Sequence, residues 1–185
     1  MTKPFPSLSV IHTVVFDFDG VFTDNKVWIN QDGRESVCCD RRDGLAFDLV
    51  RAFRRKGQLT AEFFILSKET NPVVLKRANK LKLDCHHGVG NKLDFMTKYL
   101  CLRFPDHADP FAGVVYLGND LNDLPLMRRV GYAVAPKDAH PLVCDTAHMV
   151  LEQRGGEGFV RAFIEYLLGI NQLTKGEIDG IIFDC

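Results

Sequence analysis

Short apolar runs that alternate with segments of helical period constrain this chain more than any other feature. Thr13-Val14-Val15-Phe16-Asp17 is continuous, β-branched and closed by an acid, which is how a strand buried on both faces reads. Comparable runs recur at residues 62–66, 113–117, 132–134 and 148–151. Between them, Leu45, Leu49, Ala52 and Phe53 share one helical stripe, and Val74, Ala78 and Leu81 a second, with Asn71 as its N-cap and Pro72 at its first position. Leu93, Met96 and Leu100 make a third, and Phe159, Phe163, Tyr166, Leu167 and Ile170 a fourth. Strand alternating with helix predicts an α/β fold, a parallel sheet covered by helices on both faces.

One segment breaks the alternation. Residues 26–29, then Asn30-Gln31-Asp32-Gly33, then residues 34–38 read as a β-hairpin around an Asp-Gly turn. It follows the first strand, where it would form a flap over the crevice in which open α/β sheets bind ligands. The expected architecture is a three-layer, Rossmann-like parallel sheet with this flap and no cap domain. A length of 185 residues with 46% hydrophobic and 25% charged content suits a single domain over 1–185, with an N-terminal arm at 1–10 and a C-terminal tail at 171–185.

Charge and composition remove several classes. The 23 Lys+Arg against 24 Asp+Glu leave a net charge of −1, so neither nucleic acid nor a membrane surface is expected as a partner. No apolar run approaches the roughly 20 residues of a membrane span. The opening Met1-Thr2-Lys3-Pro4-Phe5-Pro6 lacks the apolar centre of a signal peptide, so a cytoplasmic location is expected. Six cysteines show no CxxC pair and read as reduced thiols. Cys85, His86 and His87 lack a second ligand cluster at metal-site spacing.

The chemistry concentrates at the ends of the predicted strands. In Asp17-Phe18-Asp19-Gly20-Val21-Phe22-Thr23-Asp24, two carboxylates leave a buried strand and a glycine then lets the chain turn. Like charges this close raise one pKa unless a cation intervenes, and a hard divalent ion with oxygen ligands resolves that conflict. Gly118-Asn119-Asp120-Leu121-Asn122-Asp123 follows a second apolar run, ahead of a helix opened by Pro125. Ser67 ends a third run with a hydroxyl, and Lys92 follows Gly88-Val89-Gly90-Asn91 at a helix start. A hydroxyl and an ammonium are what a transferring phosphoryl group needs beside a metal.

In this order the motifs resemble the haloacid dehalogenase superfamily of phosphohydrolases, from Thr13 to about residue 170. Asp19 to Asp24, Arg42-Asp43-Gly44 and the stretch from Arg154 to Arg161 look like its small capless branch. That branch holds 3-deoxy-D-manno-octulosonate (KDO) 8-phosphate phosphatases, sialic-acid-type nonulosonate 9-phosphate phosphatases, and the phosphatase-like domain of some acylneuraminate cytidylyltransferases. The resemblance implies Asp17 as nucleophile and Asp19 as general acid and base. It implies Mg²⁺ held by Asp17, Asp19 and Asn119, with Asp120 as a substitute ligand and Asp123 in support. Ser67 and Lys92 would bind the transferring oxygens. Glu69, Arg77, Lys80 and Arg161 would recognise a phosphorylated acidic sugar, and the resemblance implies a homotetramer in which neighbouring subunits complete each site.

Two departures stand out. Asn119 occupies a position that is aspartate in many relatives, and Lys68 one that is often glycine. The expected activity is Mg²⁺-dependent hydrolysis of a nonulosonate 9-phosphate or KDO 8-phosphate. The alternative is a catalytically weak oligomerisation domain associated with a cytidylyltransferase, which Asn119 favours. A phosphomutase fits poorly, since such enzymes usually need a cap to retain the intermediate.

Overall fold

The computed structural model describes residues 3–183. Six strands form one parallel sheet: β1 (Thr13–Phe16), β4 (Glu62–Leu66), β5 (Asp84–His86), β6 (Val114–Leu117), β7 (Tyr132–Pro136) and β8 (Met149–Leu151). Their order is β5-β4-β1-β6-β7-β8, with Phe16 opposite Ile65 on one side and Leu117 on the other. After β1 the chain proceeds to β4, and after β6 it proceeds to β7 on the opposite side. The connections therefore diverge at the β1–β6 pair, and a crevice opens there at the C-terminal ends of the strands.

Helices cover both faces, as the alternation predicts. One layer holds α1 (Asp43–Arg55), α2 (Val73–Leu81), α6 (Phe159–Leu167) and α7 (Lys175–Ile182). The other holds α3 (Lys92–Arg103), α4 (Leu124–Met127) and α5 (Pro141–Thr146). Strand alternation sorts the core accordingly: Val14, Phe16 and Leu117 join the first layer, and Val15, Tyr116 and Val114 the second. Phe163 of α6 is fully buried in the first layer, where its ring packs edge-on to Phe16 at 6.1 Å.

The hairpin is β2 (Thr23–Ile29) against β3 (Glu35–Cys39), a separate antiparallel pair. Asn30 Oδ1 accepts the N–H groups of Asp32 and Arg34 and so closes the turn, with Gly33 at φ +75°. Glu35 receives the Asn71 amide at 3.2 Å, which ties the flap to the loop after β4. Val27, Trp28 and Ile29 project from it largely exposed.

Four details differ from expectation. β5 is a sixth strand at one sheet edge, and its Asp84-Cys85-His86 has no buried residue and no apolar run. α2 begins at Val73 with Pro72, not Asn71, at its N-cap position, and Asn71 Oδ1 accepts the Val73 N–H at 3.1 Å from one residue further out. Ile170 belongs to a 3₁₀ turn beyond α6. The C-terminal segment closes the first layer through α7, whose Ile181 is buried, and residues 184 and 185, including Cys185, lie outside the described residues. Among the described residues no helix is long and apolar enough to cross a membrane. Truncating Phe163→Ala removes a fully buried ring packed on Phe5 and Phe16, and urea denaturation should show a loss of about 3–5 kcal/mol.

Candidate active site

The C-terminal edges of β1, β4 and β6 carry the site. Asp17 follows β1 directly, and its N–H donates to the Leu117 carbonyl, continuing the ladder past the strand. Its Oδ1 accepts the Phe18 N–H and the Lys92 ammonium, each at 2.7 Å. The Phe18 carbonyl takes the N–H groups of Val21, Phe22 and Thr23, while Gly20 turns the chain at φ +69°. A Cβ at Gly20 would stand 1.9 Å from Asn119 Nδ2, so the two acidic loops touch through this glycine. Phe18 and Phe22 are fully buried with stacked rings 6.1 Å apart, anchoring the acid-bearing loop in the core.

Lys92, at the start of α3, is only 4% exposed. Its ammonium reaches Asp17 Oδ1 and Asp123 Oδ1 at 2.7 Å and the Tyr116 hydroxyl at 3.0 Å, which accounts for all three of its hydrogens. Asp123 is fully buried; its Oδ1 also accepts the Tyr116 O–H at 2.6 Å, and its Oδ2 the N–H groups of Asn119 and Asp120 at 2.8 and 3.2 Å. Burial works against the Lys92 charge, but Asp17 and Asp123 outweigh it and hold the ammonium above the ordinary lysine value. Burial likewise pushes the Asp17 carboxyl up, with the Asp123 charge adding to the push and Lys92 opposing it. Asp19 is raised by burial and by the Glu69 charge, again against Lys92.

A cavity of about 390 Å³ opens over these groups, and Asp17, Asp19, Ser67, Glu69, Asn119 and Asp120 line it. Ser67 Oγ accepts the Glu69 N–H at 3.0 Å, which leaves the hydroxyl hydrogen free to donate into the cavity. Glu69 Oε1 takes the N–H groups of Thr70 and Asn71, so one of its oxygens is occupied in shaping the loop. Asn119 Oδ1 is buried and without a hydrogen-bond partner. An orphaned amide oxygen beside two carboxylates fits a hard divalent cation, although among the described residues no cluster of three or more His, Cys, Asp or Glu side chains could hold a metal alone. That absence includes Cys85, His86 and His87.

Other expected site residues lie elsewhere. Lys92 stands behind Asp17, outside the cavity lining, with its three hydrogens directed at Asp17, Asp123 and Tyr116. Arg77 donates to the Asp40 carbonyl at 2.5 Å and to Asp43 at 3.3 Å, and with Lys80 it lines a separate crevice of about 280 Å³. Burial pushes the Asp43 carboxyl up to about 7, with Arg77 opposing. Arg161 is paired with Glu165 one turn along α6, at 2.6 Å. The glycine-rich stretch before α6 braces the first acidic loop from within the same chain. Gly156 donates to the Val21 carbonyl, and a Cβ at Gly155 would stand 2.0 Å from the Gly20 carbonyl oxygen.

Residues 25, 68, 70 and 122 complete the cavity wall. Asn25 takes a left-handed φ of +62°, where asparagine is among the few tolerated side chains. It is legible only as part of a polar run before the hairpin. Tyr116 is hidden in an apolar run, where a phenol that must find a polar partner was the one available signal.

No protein-family profile matches the chain. The 3-deoxy-D-manno-octulosonate 8-phosphate phosphatase KdsC of Escherichia coli K12 is 31% identical over 176 residues, spanning 91% of this chain and 83% of the relative. The crystal structure of a HAD family hydrolase from Streptomyces avermitilis is 40% identical, with a TM-score of 0.77, covering 91% of this chain and 98% of that one. The KDO 8-phosphate phosphatase of Yersinia pestis is 28% identical with a TM-score of 0.74, covering 87% and 82% of the two chains.

The Lys92 network makes a stability prediction. Lys92→Met strands two buried carboxylates and should cost about 3–5 kcal/mol. Without the ammonium, the folded pKa of Asp17, which burial already raises, moves further above its unfolded value. Stability is then retained at low pH and lost as pH rises, so denaturant titrations should show a larger deficit at pH 8 than at pH 5.

Proposed function

This chain belongs to the haloacid dehalogenase superfamily and, within it, to the KDO 8-phosphate phosphatase family, and on that premise we propose that it hydrolyses the phosphate ester of an acidic keto-sugar through a covalent intermediate on Asp17. The observation that carries the reading is the asymmetry of the Asp17 carboxylate. Both of its hydrogen bonds, from Phe18 N–H and Lys92, converge on Oδ1. Oδ2 is left as the attacking oxygen at a wall of the cavity.

The steps follow from the neighbouring groups. Oδ2 attacks phosphorus, and the bond from phosphorus to the sugar oxygen breaks with its electron pair staying on that oxygen. Asp19, whose pKa burial and the Glu69 charge push upward, protonates the leaving oxygen. The Asp19 carboxylate then removes a proton from water, whose oxygen attacks the acyl phosphate. Asp17 departs as carboxylate and inorganic phosphate is released. Ser67 donates its hydroxyl hydrogen to a phosphoryl oxygen throughout.

Asp17, the Asp19 carbonyl and Asn119 would hold Mg²⁺, with Asp120 beside them. When bound, the ion supplies charge compensation for the phosphoryl oxygens and fixes their orientation. An amide ligand carries no charge, so Asn119→Asp should lower the Mg²⁺ concentration needed for half-maximal phosphate release, and calorimetric Mg²⁺ titration should show the same tightening.

Glu69 is the wall residue best placed to accept from the sugar's hydroxyls, in a nonulosonate 9-phosphate as in KDO 8-phosphate. Arg77, Lys80 and Arg161 stand outside their own chain's cavity. Any part they play in binding the sugar carboxylate requires a neighbouring subunit in a homotetramer, a reading supported by the exposed Val27, Trp28 and Ile29 of the flap.

Phosphate release from nonulosonate 9-phosphates, KDO 8-phosphate and hexose phosphates, with and without Mg²⁺, tests the function. Mg²⁺-dependent turnover of an acidic keto-sugar phosphate is expected, and Asp17→Asn should reduce it at least about 1,000-fold with the fold intact. A folded protein inactive on the whole panel would overturn the enzyme reading in favour of the oligomerisation domain that Asn119 suggests.

A further inference from the structure

β6 is a central strand, all four of its residues are buried, and Tyr116 is the only one with a polar side chain. Phenylalanine would fill the same space in the second core layer without the cost of burying a hydroxyl. The hydroxyl is instead fully used. It donates to Asp123 Oδ1 at 2.6 Å and accepts from Lys92 at 3.0 Å. Lys92 and Asp123 therefore meet through two routes, their own ion pair and the phenol between them.

The remaining contacts give the arrangement its direction. Asp123 Oδ2 holds the backbone of Asn119 and Asp120, so Asp123 is fixed to its loop whether or not the phenol is present. Lys92 is held differently. It comes from the other side, on α3, and among the described residues its ammonium is held by three acceptors, Asp17 Oδ1, Asp123 Oδ1 and the Tyr116 hydroxyl, with the Tyr116 ring centroid 5.8 Å away. With Tyr116 removed, one of its hydrogens would be buried and unsatisfied, and the ammonium could turn away from Asp17 to find another acceptor.

We infer that Tyr116 is a positioning residue that aims the Lys92 ammonium at Oδ1 of Asp17 and thereby sets which oxygen of that carboxylate remains free to react. The kinetic part of this inference rests on the phosphatase reading above; the structural part does not. Displacement of a reacting group by a fraction of an ångström lowers turnover without weakening ground-state binding.

Tyr116→Phe retains the ring and its packing. In steady-state phosphate release, kcat should fall about tenfold while KM for the same sugar phosphate stays within about twofold. A second readout needs no substrate. In ¹⁵N-lysine-labelled protein, a buried, triply hydrogen-bonded ammonium gives a slowly exchanging N–H resonance, assigned by its absence in Lys92→Met. In Tyr116→Phe that resonance should exchange faster or broaden beyond detection. An unchanged Lys92 resonance, or an unchanged kcat in a turning-over enzyme, would overturn the inference. If the wild-type protein releases phosphate from nothing on the panel, the phosphatase reading fails, and the ammonium resonance alone decides whether Tyr116 positions Lys92.

Discussion

Two buried carboxylates, Asp17 and Asp123, face one buried ammonium, and the architecture around the site can be understood from the need to keep that arrangement intact. An ion pair withdrawn from water recovers its desolvation cost only if geometry is good and every remaining polar atom finds a partner. Here the three charges come from three different elements: the end of β1, the turn after β6 and the start of α3. Each must arrive at the same point for any of them to be tolerable. The Tyr116 hydroxyl and the backbone N–H groups of Phe18, Asn119 and Asp120 supply the remaining partners. A surplus of one negative charge is left in the cluster, and it lies next to the cavity where a cation would be drawn.

The parallel sheet is what makes such convergence possible. Strands running in one direction deliver their C-terminal ends to one edge, and divergence at β1 and β6 leaves that edge open. Aromatic packing beneath it does the holding. Phe16, Phe18, Phe22 and Phe47 form a continuous set of ring contacts under the first acidic loop, so a loop that carries like charges is seated on some of the least compliant packing in the molecule.

Much of this was legible in the sequence, for definite reasons. Strands buried on both faces advertise themselves by continuous apolar runs, and β1, β4, β6 and β7 all do so. Of the two edge strands, β8 keeps an apolar run and β5 does not. Acids immediately after such runs mark the ligand edge, so Asp17, Asp19, Asn119 and Asp120 fall together in the structure along with Ser67. Arg77 and Lys80 were harder: spacing says that they share a helix, but the direction a helix face looks is set by tertiary packing, and theirs looks toward β3 and α1. Arg161 carried a warning in Glu165, four residues on, the spacing of a local ion pair. Tyr116 left almost no trace, since its burial and its chemistry point in opposite directions.

The contact between Gly155 and Gly20 bears on how the site can move. Backbone lies directly on backbone there, with no side chain to act as a compliant spacer. The loop that carries Asp17 and Asp19 therefore cannot lift without displacing the segment that leads into α6, and α6 is packed through Phe163 onto the central strand. Local opening of the site and partial undocking of a core helix become one event with one free energy, so amide hydrogens of the loop should exchange with protection comparable to that of α6 and belong to the same cooperative unit.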